Sequence, residues 1–167
     1  IRSDDGKKSG TTLSDLARYV NTHDEPVIFG IAHEFYHRPD GLKKMLAHYN
    51  MKIDEADIKT MDIGLSFESI SRDQIDVAMV YSTDGKLKKY NLLVLEDDRK
   101  FFPIYTLCVV THMQALEKYP EIPRILRPLT IHLDNETMQE LNYQVDALGK
   151  PSKLVADKFL REKGLIR

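Results

Sequence analysis

Apolar residues recur along this chain in two alternating rhythms. Leu13, Leu16, Ala17 and Val20 fall at helical spacing, and Thr12 with Asp15 three residues later supplies a capping-box start, with Asp in place of Glu or Gln. A polar break at 21–25 and Pro26 then lead into Val27-Ile28-Phe29-Gly30-Ile31. That short, β-branched, continuous run is the pattern of a strand buried on both faces. Arg38-Pro39-Asp40-Gly41 is turn chemistry, and behind it Leu42, Met45, Leu46 and Tyr49 form one face of a helix. The same reading predicts strands at 58–61, 77–81 and 92–95 and a helix at 65–72. It leaves the polar opening through Thr11 as a loop and Ser82-Thr83-Asp84-Gly85 as a turn. Strands alternating with helices across short turns predict an α/β domain with a largely parallel sheet.

The rhythm changes after Phe102. One more strand is predicted at 104–110, and the rest reads as helices at 113–119, 121–129, 135–144 and 152–163. Pro120, Pro123, Pro128, Gly149 and Pro151 punctuate them, and Asp134 is a suitable N-cap for the third. With a single strand of its own, this part reads as the completion of a sheet supplied elsewhere.

Composition narrows the function classes. Of 167 residues, 42% are apolar and 30% charged, the balance of a globular domain. A net charge of -2, with no basic run interleaved with aromatics, argues against a nucleic-acid face. Cys108, the only cysteine, rules out an internal disulfide and a cysteine-based metal cluster, and its apolar surroundings predict a buried, inert thiol. No apolar run approaches the ~18 residues of a membrane helix. The opening Ile1-Arg2-Ser3-Asp4, without Met, reads as a piece of a longer protein.

One motif offers metal chemistry. His33-Glu34-Phe35-Tyr36-His37 matches H-E-x-x-H, in which two imidazoles on one helical face hold zinc and the Glu serves as general base. A strand-like run precedes it and Pro39 follows it closely, so the sequence predicts a polar loop rather than the required helix. His48 and Glu55 are candidates for a third ligand, but neither has the glycine spacing of the zinc families. A zinc-dependent hydrolase is therefore the alternative function. The leading reading has no enzymatic activity, no metal and no cofactor.

A resemblance covers the chain from about Thr12 to Leu165. Its strings, in order, are Glu34-Phe35-Tyr36-His37-Arg38-Pro39-Asp40-Gly41, Thr60-Met61-Asp62-Ile63-Gly64-Leu65, Ser82-Thr83-Asp84-Gly85 and Leu93-Val94-Leu95-Glu96-Asp97-Asp98. They continue with Phe101-Phe102-Pro103, Met138-Gln139-Glu140-Leu141-Asn142-Tyr143 and Phe159-Leu160-Arg161-Glu162-Lys163-Gly164-Leu165. Together they resemble the glycine betaine/choline/carnitine substrate-binding proteins of ABC transporters. The resemblance implies a type II periplasmic-binding-protein-like α/β fold: one complete lobe at 1–98, then a crossover and the C-terminal part of the other lobe at 99–167. The half-lobe with which the family opens is expected to be missing.

The resemblance also implies a function and its residues. The implied role is capture of a small quaternary ammonium compound (glycine betaine, choline, carnitine or a betaine such as ergothioneine) by lobe closure. The partner would be an ABC permease subunit or a fused permease domain, the setting extracytoplasmic and the intact protein a monomer. A trimethylammonium group has no hydrogen-bond donors and is held best by aromatic faces, whereas a carboxylate favours a bidentate Arg. Arg38 matches the family's carboxylate-binding arginine, Tyr81 and Tyr105 match cage aromatics, and Tyr36 lies within the same motif. Ile104 stands where a second proline is common in the family and Thr106 where an asparagine is, while Val80-Tyr81 replaces a small residue followed by Phe. A sensory effector domain, or a piece too short to bind ligand, are further possibilities of a different class.

Overall fold

The structure is a computed structural model that describes residues 1–105 and 108–167. The chain forms two compact units, Ile1–Ser82 with Lys86–Pro103, and Thr83–Gly85 with Ile104–Arg167.

In the first unit the opening segment is not all loop, since Gly6–Ser9 winds into a helical turn (α1). Helix α2, Leu13–Thr22, starts where its cap dictates: the Thr12 hydroxyl accepts the Asp15 amide at 3.0 Å. Strand β1 is Phe29–Ile31, followed by α3, His33–His37, and α4, Leu42–Tyr49. A 3₁₀ turn at Glu55–Asp57 leads into β2, Ile58–Thr60, then α5, Ile63–Ser71, β3, Val77–Ala78, and α6, Lys86–Lys89. The sheet is parallel with order β2-β1-β3, as the alternation predicted, with Phe29 opposite Ile58 on one side and Val77 on the other.

Period two decides which face each residue of β1 serves. Phe29 and Ile31 join a core cluster with Leu16 and Ala17 of α2, Phe35 of α3, and Leu42, Met45 and Tyr49 of α4. Gly30 points the other way, where a Cβ would sit 2.5 Å from Ile75 Cδ1. Phe67, Ile70 and Ile75 are fully buried but lie outside that cluster, so helices cover both faces of the sheet.

Two strand predictions are corrected. The run at 77–81 pairs only at Val77–Ala78, after which the Met79 amide makes one last bond to the Gly30 carbonyl at 2.9 Å. The run at 92–95 forms no strand. Leu92 makes an isolated antiparallel bridge to Arg2, and Glu96 a parallel one to Thr12, because the adjacent backbone belongs to the amino-terminal segment and not to a sheet strand.

The second unit is helical: α7, Met113–Lys118, α8, Ile122–Thr130, α9, Asn135–Asp146, and α10, Ser152–Glu162. All four match the sequence reading, and Asp134 caps α9 by accepting the Thr137 amide at 2.7 Å. The Thr83–Gly85 segment lies against α9, with Asn142 Nδ2 donating to the Thr83 carbonyl at 2.8 Å. The strand predicted at 104–110 includes Thr106 and Leu107, which lie outside the described residues. The rest of that run is not in a strand, and Cys108 is exposed rather than buried. A strand needs a neighbouring ladder, and among the described residues of this unit no strand offers one.

Candidate functional site

In an open parallel sheet, ligands are held beyond the carboxyl ends of strands, where successive connections diverge. Here the chain leaves β1 for β2 on one side and then passes back across β1 to reach β3 on the other. The divergence falls between β1 and β3, so the segments leaving those two strands are the ones to inspect. They carry Arg38 and Tyr81.

The corner after β1 is shaped by Pro39. Helix α3 ends at Arg38, whose backbone turns to φ -67, ψ 136 as a residue before proline must. The Gly41 amide closes the turn on the Arg38 carbonyl at 2.9 Å, and the Met45 amide bonds the Gly41 carbonyl at 3.0 Å to begin α4. Gly41 is required by contact. A Cβ there would lie 2.0 Å from the Phe35 carbonyl oxygen.

Neighbours on its own corner guide the Arg38 guanidinium. Its Nε donates to Asp40 Oδ1 at 2.7 Å, Nη1 lies 3.5 Å from Glu34 Oε1, and its carbon sits 5.7 Å over the Phe35 ring. Phe35 is buried and stacks on Phe102 at 5.9 Å between centroids. The Arg38 side chain keeps 33% of its surface exposed, and both carboxylates are largely in water. Solvent weakens such ion pairs, so a ligand carboxylate can compete for the guanidinium.

Tyr81, just past β3, is 64% exposed, and it follows the carboxyl end of β3 as Arg38 follows that of β1. Tyr105 belongs to the second unit and is 73% exposed, beside Ile104 at 95%. Tyr36 is engaged elsewhere. Its hydroxyl donates to Glu55 Oε1 at 2.8 Å, on the turn that precedes β2, and its ring packs against the core. The bond to Glu55 raises the Tyr36 hydroxyl above its ordinary value.

The H-E-x-x-H segment departs from expectation, being α3 rather than a loop. Its five residues fit between the end of β1 and Pro39, so proline shortens the helix without preventing it. Both imidazoles are exposed. His48 Nε2 contacts the Arg99 carbonyl at 3.1 Å, and Glu55 is bonded to Tyr36, so neither completes a metal set. Among the described residues no group of three or more His, Cys, Asp or Glu side chains converges to hold a metal ion.

Sequence reasoning missed the supports of Arg38. Glu34 and Asp40, four residues before and two after it, were visible as a charge pattern. The Phe35–Phe102 stack was not, since it joins distant segments.

Comparison with known proteins agrees with this architecture. Residues 5–162 match the family model described as the substrate binding domain of ABC-type glycine betaine transport system. An ergothioneine transport permease/ergothioneine binding protein of Helicobacter pylori is 37% identical over 166 residues, 99% of this chain and 29% of that protein. A glycine-betaine-binding protein of Pseudomonas aeruginosa is 36% identical over 160 residues, 93% of this chain and 51% of that one. The crystal structure of a glycine betaine/carnitine/choline ABC transporter protein superposes with a TM-score of 0.84 at 31% identity, over 99% of this chain and 59% of the other. The chain thus spans about half the length, or less, of the curated relatives named here. On sequence and fold together, it belongs to the family of substrate-binding domains of ABC-type glycine betaine transport systems.

Proposed function

We propose that this chain captures a small quaternary ammonium compound for an ABC importer and carries out no reaction on it. The observation that carries the reading is the Arg38 corner at the divergence point of a parallel sheet, with an exposed aromatic, Tyr81, on the neighbouring connection. An arginine fixed by its Nε edge and backed by a ring suits a carboxylate. An exposed tyrosine face suits a trimethylammonium cation. Tyr105 is a further aromatic candidate in the second unit.

Relatives named for glycine betaine, carnitine and ergothioneine support the ligand class. The relative named as both permease and binding protein supports a permease partner, separate or fused. The domain then works outside the membrane. Among the described residues no helix is long and apolar enough to cross a membrane. In this reading, residues 1–98 form one lobe, and the chain from 99 onward is the crossover and part of the other.

Calorimetry with glycine betaine, choline, carnitine and ergothioneine tests the proposal, with zinc titrated alongside. Saturable binding of one of them, weakened at least about tenfold in Arg38→Ala and Tyr81→Ala, is the expected result. Stoichiometric zinc without ammonium binding would sink it.

A further inference from the structure

Beneath the site lies a carboxylate that no ligand role requires. Asp97 accepts hydrogen bonds from the Tyr49 hydroxyl, the Phe101 amide at 2.9 Å and the Phe102 amide at 2.8 Å. The Tyr49 oxygen also accepts the Arg99 amide at 3.1 Å, and the Arg99 guanidinium lies 5.5 Å over the Tyr49 ring. Burial, and then the bond to Asp97, push the Tyr49 hydroxyl up to about 12. Burial pushes the Asp97 carboxyl up, but the hydroxyl and amide donors outweigh it and hold the group below the usual carboxylate range. The proton stays on Tyr49 and the charge on Asp97.

The two amides gripped by Asp97 belong to an aromatic pair. The Phe101 and Phe102 rings meet edge to face at 5.0 Å, and Phe102 stacks on Phe35, the ring beneath the Arg38 guanidinium. Contact is therefore continuous within the first unit: carboxylate to backbone, backbone to Phe102, Phe102 to Phe35, and Phe35 to Arg38.

We infer that Asp97, held by Tyr49, is a positioning residue for Arg38, seating Phe102 behind Phe35 and so fixing the guanidinium plane that meets a ligand carboxylate. This rests on the proposed carboxylate-binding role of Arg38. An asparagine at 97 has one acceptor oxygen where the carboxylate has two. It must turn an amino group toward either the Phe102 amide or the Tyr49 and Phe101 donors.

The test uses the full-length protein with Asp97→Asn and the milder Tyr49→Phe, which leaves both amide bonds in place. Glycine betaine and choline share the trimethylammonium group, but only glycine betaine carries a carboxylate. Asp97→Asn is expected to weaken glycine betaine roughly tenfold and choline by less than about twofold, with a smaller loss of the same selectivity in Tyr49→Phe. Equal losses for both ligands would overturn the inference and leave Asp97 a purely structural residue.

A second measurement needs no ligand. The nitrogen-15 resonance of the Arg38 Nε–H should shift and exchange faster with water in Asp97→Asn, because the ring beneath the guanidinium is no longer fixed. An unchanged resonance overturns the inference whatever the binding data show. A responsive resonance in a protein that binds neither compound supports the Asp97–Arg38 link while removing the proposed ligand class.

Discussion

Replacing Gly41 by alanine tests whether the Arg38 corner is fixed by backbone contact. The added Cβ would lie 2.0 Å from the Phe35 carbonyl oxygen, 2.9 Å from that of Arg38 and 3.0 Å from the Phe35 carbonyl carbon. The first contact is about 1 Å closer than real Cβ atoms come to a neighbour. The obstacle is helix backbone, so no side-chain rotation relieves it. The turn must lift away from α3, straining the Gly41-to-Arg38 and Met45-to-Gly41 bonds at 2.9 and 3.0 Å. Overpacking of this kind costs ~1–3 kcal/mol, and one weakened hydrogen bond adds about 1. Against that, alanine lowers the entropy of the unfolded chain by about 0.4–1 kcal/mol. The net expectation is a loss of about 1–3.5 kcal/mol.

Gly64→Ala is the matched control. Gly64 lies in the first turn of α5, and its nearest atom is Asp62 Oδ1 at an ordinary 3.4 Å. Alanine there should stabilise by roughly 0.5–1 kcal/mol through helix propensity and unfolded-state entropy. Urea unfolding followed by circular dichroism, with slopes compared so that only midpoints carry the difference, measures both. A Gly41→Ala variant as stable as the parent, or two variants displaced equally in the same direction, would refute the contact argument.

Two further outcomes concern stability. Thr12→Ala removes the acceptor of the Asp15 amide and should cost about 1 kcal/mol by urea unfolding, whereas Thr12→Ser should keep most of it. Because the folded Tyr49 hydroxyl is raised from 10.0 to about 12, its contribution to stability is complete below pH 10 and is lost as pH rises through about 12. Phenolate absorbance should therefore include a late-titrating component near pH 12 that is lost in Tyr49→Phe. Uniform titration near the ordinary value would contradict its burial against Asp97.

Much of the fold was legible because its signals are local. Thr12 and Asp134 announce helix starts through side chains that reach backbone amides three residues on. The apolar runs at Phe29 and Ile58 became parallel neighbours, as the alternation of elements predicted. The errors share a cause. Val80 and Tyr81 look like strand, but pairing stops after Ala78, and 92–95 has strand composition without a sheet partner. Conversely, the segment from His33 to His37 has the sequence of a loop before Pro39, yet its five residues fit as a helix because the proline restricts only the residue next to it. Arg38 and Tyr81, the residues proposed for the site, stand out in the sequence by motif, while the engagement of Tyr36 with Glu55 does not, since hydrogen-bonded partners 19 residues apart leave no spacing rule.

The sequence by itself determined the α/β alternation, the helix starts, the proline-limited corner at Arg38 and the family to which the chain belongs. These rest on interactions within a turn or two, or on strings kept in order. Only the tertiary structure decided which strands truly pair, that Cys108 is exposed, and that Tyr49 and Asp97 meet although 48 residues separate them. The reason is physical. A cap or a proline acts on its own neighbourhood, but a half-buried carboxylate or a strand edge is satisfied by whatever backbone the fold brings to it.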